Sequence, residues 1–464
     1  MSQWISPDQI RARFAGAMSA MYRREVPQYG ALIELVEEVN RDTLAADEAL
    51  AAGLASAGGL HRLAVERHGA IRVGTPDELA MLRRLFAVMG MYPVGYYDLA
   101  PAGVPVHSTA FRPVADDALQ KNPFRVFTSL LRPELIASDA LRQQALALLD
   151  ARDIFTPGVK TLIERCEVRG GLDDADADAF VAEALETFRW HSDATVDKPT
   201  YDALSAEHPL IADVVCFRGP HINHLTPRTL DIDEVQRRMP ERGITPKALI
   251  EGPPPRRCPL LLRQTSFKAL NEPVRFGAAA GSHTARFGEI EQRGAALTAK
   301  GRALYDRLLA EVKAQPQTSD NATHQARLTK AFAAFPDDEA ALRRQGLAFF
   351  HYRVADADRR SRQRPAEAPG EAHIEALIAD GALAATPMVY EDFLPVSAAG
   401  IFQSNLSADS PSVDESARRP GNHTRDSQTA FEAALGREVI DEIALYAQRE
   451  RASLEAALEA LKAR

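Results

Sequence analysis

Two kinds of side chain recur in this sequence at spacings that could hold a metal ion. The histidines are His68 and the pair His221 and His224, which lie in the stretch FRGPHINHLTPRTLD (217–231). The carboxylates are Glu289 and Glu291, in FGEIEQRG. Two imidazoles and one carboxylate on one side of Fe(II) leave three coordination positions open, which is the donor set of non-haem iron oxygenases; imidazole also suits zinc. Side chains of a strand alternate between its faces, so in HINH His221 goes with Asn223 and His224 with Ile222. One of the two histidines therefore points into a common cavity. Glu289, Glu291 and Arg293 share a face of their strand, and two carboxylates there are costly to bury unless paired or metal-bound. A plainer reading stands beside this one. A strand histidine is commonly just packed, and Glu291 with Arg293 also reads as an ion pair. His107 and His283, in similar contexts, are read as structural.

The elements that must position these groups fall into two blocks. In the first, RLAVERHGAIRVG reads as a strand and TPDELAMLRRLFAVMGMYP as an amphipathic helix capped at Thr75-Pro76-Asp77-Glu78. GVPVHSTAFRPV and NPFRVFTSLLRPE then read as two strands. In the second, IADVVCFRGPHINHLT reads as a strand, DIDEVQRRMPERG as a helix, and CPLLLRQTSFKAL and HTARFGEIEQRGAALT as strands, with PVRF a possible fourth. The repeated β-α-β-β order points to a duplicated α+β fold with paired modules closing around one site. The expected division is N-terminal helices over 1–60, a first module over 61–134, a helical insertion over 135–208, a second module over 209–299, and a helical segment over 300–464. The last part contains a covering loop at 388–406, a charged linker at 356–371 and a long helix from about Ser427. A helix start is also marked at Ser6-Pro7-Asp8, followed by Ile10, Phe14, Met18 and Met21 at helical spacing.

Composition limits what the site can serve. The 464 residues are 45% apolar and 26% charged, with a net charge of −9. That balance argues against nucleic acid or an anionic membrane as the main partner, since both need clustered Lys and Arg. Cys166, Cys216 and Cys258 are widely spaced, which indicates neither a disulfide framework nor a cysteine metal site. No basic-then-apolar leader opens the chain and no apolar run approaches the ~20 residues of a membrane span. A soluble, cytoplasmic protein is expected.

The blocks ERHGAIR (66–72), PHINHLTPR (220–228), FGEIEQRG (287–294) and LPVSAAGIF (394–402) together resemble the 2-oxoadipate dioxygenase/decarboxylase family, nearly end to end. The resemblance implies a vicinal oxygen chelate-like core of two βαβββ modules, forming a curved sheet around one non-haem Fe(II). It implies conversion of 2-oxoadipate and O2 to D-2-hydroxyglutarate and CO2, a step of lysine breakdown. Residue by residue, it implies His68 and His224 as metal ligands, with His221 turned to the other side or lining the pocket mouth. FGEIEQRG is similar to a stretch of 4-hydroxyphenylpyruvate dioxygenase that carries an iron-binding glutamate, and this alignment selects Glu289, with Glu291 the alternative. Arg72 matches the family's arginine for a substrate carboxylate, and Val396 and Ser397 match a loop over the substrate. Arg72 is four residues after His68, so on one strand the two share a face, and guanidinium recognises carboxylates bidentately. A metal-dependent isomerase or lyase on the same core, indifferent to O2, is the competing reading.

Overall fold

The structure, a computed structural model, describes residues 4–56, 59–316, 318–355, 370–394 and 422–462. The stretch RLAVERHGAIRVG, read as a strand, is helical to Val65 and then becomes β1 (Arg67–Val73), followed by a helix at Pro76–Val88. Thr75 caps that helix by accepting the Glu78 amide at 3.2 Å, with Pro76 in the first turn. Three strands come next, β2 (Tyr92–Asp98), β3 (Val106–Arg112) and β4 (Arg125–Leu131). β2 is the strand that alternation in the sequence does not show. Gly95 has φ 73° and the ladder to β3 slips between Val94 and Tyr96, so a bulge interrupts the period of two. β1 runs parallel to β4, and β4, β3 and β2 follow antiparallel, which completes a βαβββ module.

Beyond the short β5 (Asp193–Ala194), the second module consists of β6 (His224–Pro227), a helix at Ile232–Arg238, β7 (Leu262–Ser266), β8 (Leu270–Phe276) and β9 (Ala279–Arg293). β6 is parallel to β9 and β9 antiparallel to β8, while β7 pairs with β9. An antiparallel seam between β1 and β6 joins the modules, with His68 opposite Thr226 and Gly69 opposite Leu225. The result is one sheet in the order β2-β3-β4-β1-β6-β9-β8-β5, an α+β plan built on two βαβββ modules.

The stretch IADVVCFRGPHINHLT is not one strand. Pro209–Val215 is a helix, started by Pro209 in its first turn and by the His208 ring, which accepts the Leu210 amide at 3.1 Å. Leu210, Ile211, Val214 and Val215 are all buried, and a short apolar run of this kind does not separate a buried helix from a buried strand. Only from His224 onward is the segment extended.

The chain divides into two compact units. The larger takes the described residues of 1–247, 264–292 and 393–440 and contains most of the sheet. Its first helix, Pro7–Glu25, has a capping box between Ser6 and Gln9 and buries Ile10, Phe14, Met18 and Met21. A cluster of buried apolar residues, including Val106, Phe127, Leu204 and Val214, forms a core in this unit. The smaller unit takes the described residues of 248–263, 293–392 and 441–464. It holds the helices Ala299–Lys313, Asn321–Phe332 and Glu339–Arg344 and an antiparallel pair, β10 (Phe350–Val354) and β11 (Leu383–Pro387). The third of these helices ends at Arg344, where Gly346 turns at φ 61° and Leu347, Ala348 and Phe349 lead into β10. The long C-terminal helix is likewise two, Asn422–Leu435 and Glu442–Lys462, separated at Gly436 with φ 70°. No helix of the described residues is long and apolar enough to cross a membrane.

Candidate metal centre

Register puts the chemistry on one face of the sheet. His68 on β1 lies opposite Thr226 on β6, and His224 and Leu225 on β6 lie beside Phe287 and Gly288 on β9. Alternation then gives one face to His68, Arg72, His224, Thr226, Phe287, Glu289 and Glu291. Donor atoms of His68, His224 and Glu289 lie within 4.8 Å of one another, and all three residues are buried. Among the described residues this is the group of His, Cys, Asp and Glu side chains gathered closely enough to hold a metal ion.

The details separate the two glutamates. Glu289 Oε1 lies 3.0 Å from His68 Nε2 and 4.0 Å from His224 Nε2. The same oxygen accepts hydrogen bonds from Gln264 Nε2 at 2.8 Å and Thr226 Oγ1 at 3.2 Å. Glu291 Oε2 instead lies 3.0 Å from the far nitrogen of the His68 ring, Nδ1. His68 is thus caged between two carboxylates, at short distances that lack hydrogen-bond alignment. Glu289 Oε2 and both ring nitrogens of His224 have no hydrogen-bond partner among the described residues. Buried polar atoms left without partners are uncommon and need an explanation. Two imidazole nitrogens and a carboxylate oxygen converging in this way fit a divalent transition metal.

Electrostatics favour the same reading at His224. Burial, with His68, Arg72 and Lys247 adding to it, pushes the His224 imidazole well below its ordinary range, so the ring is neutral and able to donate a lone pair. For His68 burial acts in the same direction, but Glu291 and Glu289 outweigh it and raise the ring above its ordinary value. Burial raises Glu289, with His68 opposing. Apolar rings close around the donors. Phe393 meets the His68 ring edge-on at 4.9 Å and Phe287 stacks on His224 at 4.9 Å.

Arg72 is on this face and makes an ion pair, Nη1 to Asp213 Oδ2 at 2.7 Å. Asp213 belongs to the helix Pro209–Val215, which the strand reading of that segment hid. His221 is buried beside the same carboxylate: its Nε2 accepts from Asn223 Nδ2 at 3.2 Å and lies 3.4 Å from Asp213 Oδ1. Burial holds the His221 ring down at about 3. His283, read from the sequence as structural, donates to Asp213 Oδ1 at 2.9 Å. His107 packs instead against Tyr96 and Phe431, and burial lowers it to about 4. Arg293 donates to the carbonyls of Tyr390 and Asp392 at 2.7 and 2.9 Å. Val396 and Ser397 lie outside the described residues.

Glu66, two residues before His68, is fully buried and receives three arginines. Arg62 approaches at 3.1 Å, Arg125 at 2.8 Å and Arg228 at 3.0 Å. Arg125 is the β4 neighbour of His68, and Arg228 is bridged to Glu291 across the strands. Sequence reasoning missed this cluster, and it missed Gln264 and Thr226, because polar residues in strands carry no signal of which buried group they will meet.

The opposite face explains two glycines. A Cβ on Gly69 would lie 2.6 Å from Ile222 Cδ1 and 2.9 Å from the His224 carbonyl oxygen, and one on Gly288 would lie 2.2 Å from Phe267 Cε1. Gly69→Ala is therefore expected to push β6 off β1 where His224 begins it. The expected cost is about 1–3 kcal/mol, together with weaker metal retention, checked by chemical denaturation and by metal content after dialysis. Unchanged metal retention in that variant would show that the seam tolerates the displacement.

The chain as a whole has counterparts among known proteins. The family model described as 2-oxoadipate dioxygenase/decarboxylase matches residues 14–405. The protein of that name from Escherichia coli (strain K12) is 58% identical over 456 residues, 98% of each chain. Its namesake from Pseudomonas putida is 56% identical over 99% of this chain and 98% of the relative. The crystal structure of the hydroxyglutarate synthase from Pseudomonas putida in complex with 2-oxoadipate superposes with a TM-score of 0.90 at 55% identity, covering 99% of this chain and all of the other. Likeness of this extent, in sequence and in fold, leaves one assignment: the chain belongs to the 2-oxoadipate dioxygenase/decarboxylase family.

Proposed function

We propose that this protein converts 2-oxoadipate and O2 to D-2-hydroxyglutarate and CO2, using Fe(II) held by His68, His224 and Glu289. The observation that carries the proposal is the buried group of two histidines and one carboxylate, with partnerless donor atoms, in a chain of this family. Bound there, Fe(II) with one side open supplies the chemistry of joining a 2-oxo acid to O2. The atoms balance without a second reductant: carbon 1 leaves as CO2, one oxygen atom completes the new carboxylate, and the other becomes the hydroxyl group.

The chain's own residues do the rest. Gln264 and Thr226 hold Glu289 through its Oε1 and so fix the carboxylate beside the two imidazoles. Glu291 orients the His68 ring from behind, the role carboxylates commonly play toward metal-bound histidines. Arg72 supplies the cation for a substrate carboxylate, which a planar guanidinium can grip with two parallel N–H bonds. Phe287 and Phe393 cover the imidazoles and exclude water, which strengthens every charge interaction at the site. The three cysteines are free thiols, which supports a reducing, cytoplasmic setting.

Two measurements test this. Metal analysis of the purified protein is expected to give one iron per chain, and an oxygen electrode is expected to record one O2 consumed per 2-oxoadipate. An iron-loaded sample that turns over 2-oxo acids without taking up O2 would favour an isomerase or lyase and end the proposal.

A further inference from the structure

We infer that Asp213 is a positioning residue for this reaction, holding the Arg72 guanidinium in the orientation that meets the substrate carboxylate, with His283 and Tyr201 fixing Asp213 from behind. The inference rests on the assignment of Arg72 to the substrate. Four groups stand in line, three of them buried and Arg72 partly so. The Tyr201 hydroxyl donates to His283 Nδ1 at 2.8 Å, His283 Nε2 donates to Asp213 Oδ1 at 2.9 Å, and Asp213 Oδ2 accepts from Arg72 Nη1 at 2.7 Å. The hydroxyl on Nδ1 sets the tautomer of His283, so the Nε2 proton faces Asp213. Ring contacts restrain the imidazole further: Phe217 at 4.9 Å and Trp190, parallel to it, at 6.2 Å. Burial alone would raise the Asp213 carboxyl. Arg72 and the His283 hydrogen bond outweigh it, with His221 contributing where that ring is protonated, and the group stays ionised far below the usual carboxylate range.

A carboxylate paired to a substrate-binding arginine has two opposing effects. It offsets part of the cation's charge, which weakens attraction for substrate, and it fixes the fork, which improves alignment. Alignment wins here for a reason specific to this sheet. Arg72 shares its face with His68 and with Glu289 and Glu291, so an untethered guanidinium is drawn toward the metal-site carboxylates. The ion pair with Asp213 gives the guanidinium a fixed partner in their place. An arginine has five N–H donors, so the bond to Asp213 is compatible with a two-pronged grip on a ligand.

The test uses the full-length, iron-loaded protein. Asp213→Asn keeps the shape and removes the charge. It is expected to retain one iron per chain and to raise KM for 2-oxoadipate roughly 10- to 100-fold, with a smaller change in kcat. Arg72→Ala is expected to raise KM at least as far, and the double variant to be no worse than Arg72→Ala alone, since groups acting as a unit are not additive. Asp213→Glu, which restores the charge, is expected to recover part of the loss. If Arg72→Ala raises KM while Asp213→Asn with full iron keeps the parent KM or lowers it, the inference is overturned and the Arg72 assignment survives. If Arg72→Ala itself has the parent KM, the assignment fails and the inference falls with it. Should Asp213→Asn not fold, Tyr201→Phe decides from the far end of the line: a KM raised a few-fold supports the inference, and an unchanged KM overturns it.

Discussion

Glu289→Ala is expected to bind no stoichiometric metal and to show no O2 uptake, whereas Glu291→Ala keeps the metal with an affinity about 10–100-fold weaker. The contrast follows from where each carboxylate sits. Glu289 reaches both histidines on the side where their donor atoms converge, and its second oxygen has no other partner among the described residues. Glu291 faces the opposite nitrogen of His68, so its loss frees the ring to turn but leaves three donors in place. Metal analysis after dialysis against a graded chelator series separates the two cases. Retention of stoichiometric iron by Glu289→Ala, with loss in Glu291→Ala, would reverse the assignment.

Glu66→Ala is expected to be the most destabilising single change at this end of the sheet, by roughly 3–5 kcal/mol, because it leaves buried arginines around a missing anion. Arg62, Arg125 and Arg228 all point at this carboxylate, and Arg125 is fully buried. The pH dependence has a definite sign. Burial would raise Glu66, but the three arginines overcome it and hold the carboxyl well below its ordinary value. A group depressed in the folded state contributes stability that is present above its unfolded value and lost as the pH falls through its folded one. Urea midpoints across the acid range are thus expected to fall steeply for the parent protein and more gently for Glu66→Gln, which lacks that contribution throughout. Parallel curves would show that the arginines find other anions.

How much of this was legible beforehand depended on whether a feature is local. The caps at Ser6 and Thr75, the apolar stripe of the first helix and the strand bearing Glu289 are all written in a few adjacent residues, and they form as expected. The histidine and glutamate motifs offered five candidates, and the three that lie close together are those the family resemblance implied. What failed was context. The run before His224 folds as a helix because Pro209 and the His208 ring start one, and β2 is broken by the bulge at Gly95. His283 looked like any strand histidine, since its importance comes from Asp213 and Tyr201, each about 70 or more positions away. A single sequence does not encode such pairings in its spacing.

The seam between β1 and β6 carries one more consequence. His68, His224 and Glu289 lie on three strands far apart in the chain, and no two of them are close enough in sequence to chelate an ion before the strands have paired. An ion that binds here closes two long chain loops at once, and it binds the folded state alone. Its affinity is therefore also a brace on the fold, growing with the logarithm of free metal concentration. The β1–β6 register is thus a condition on metal binding: the three donors meet only in a sheet already assembled.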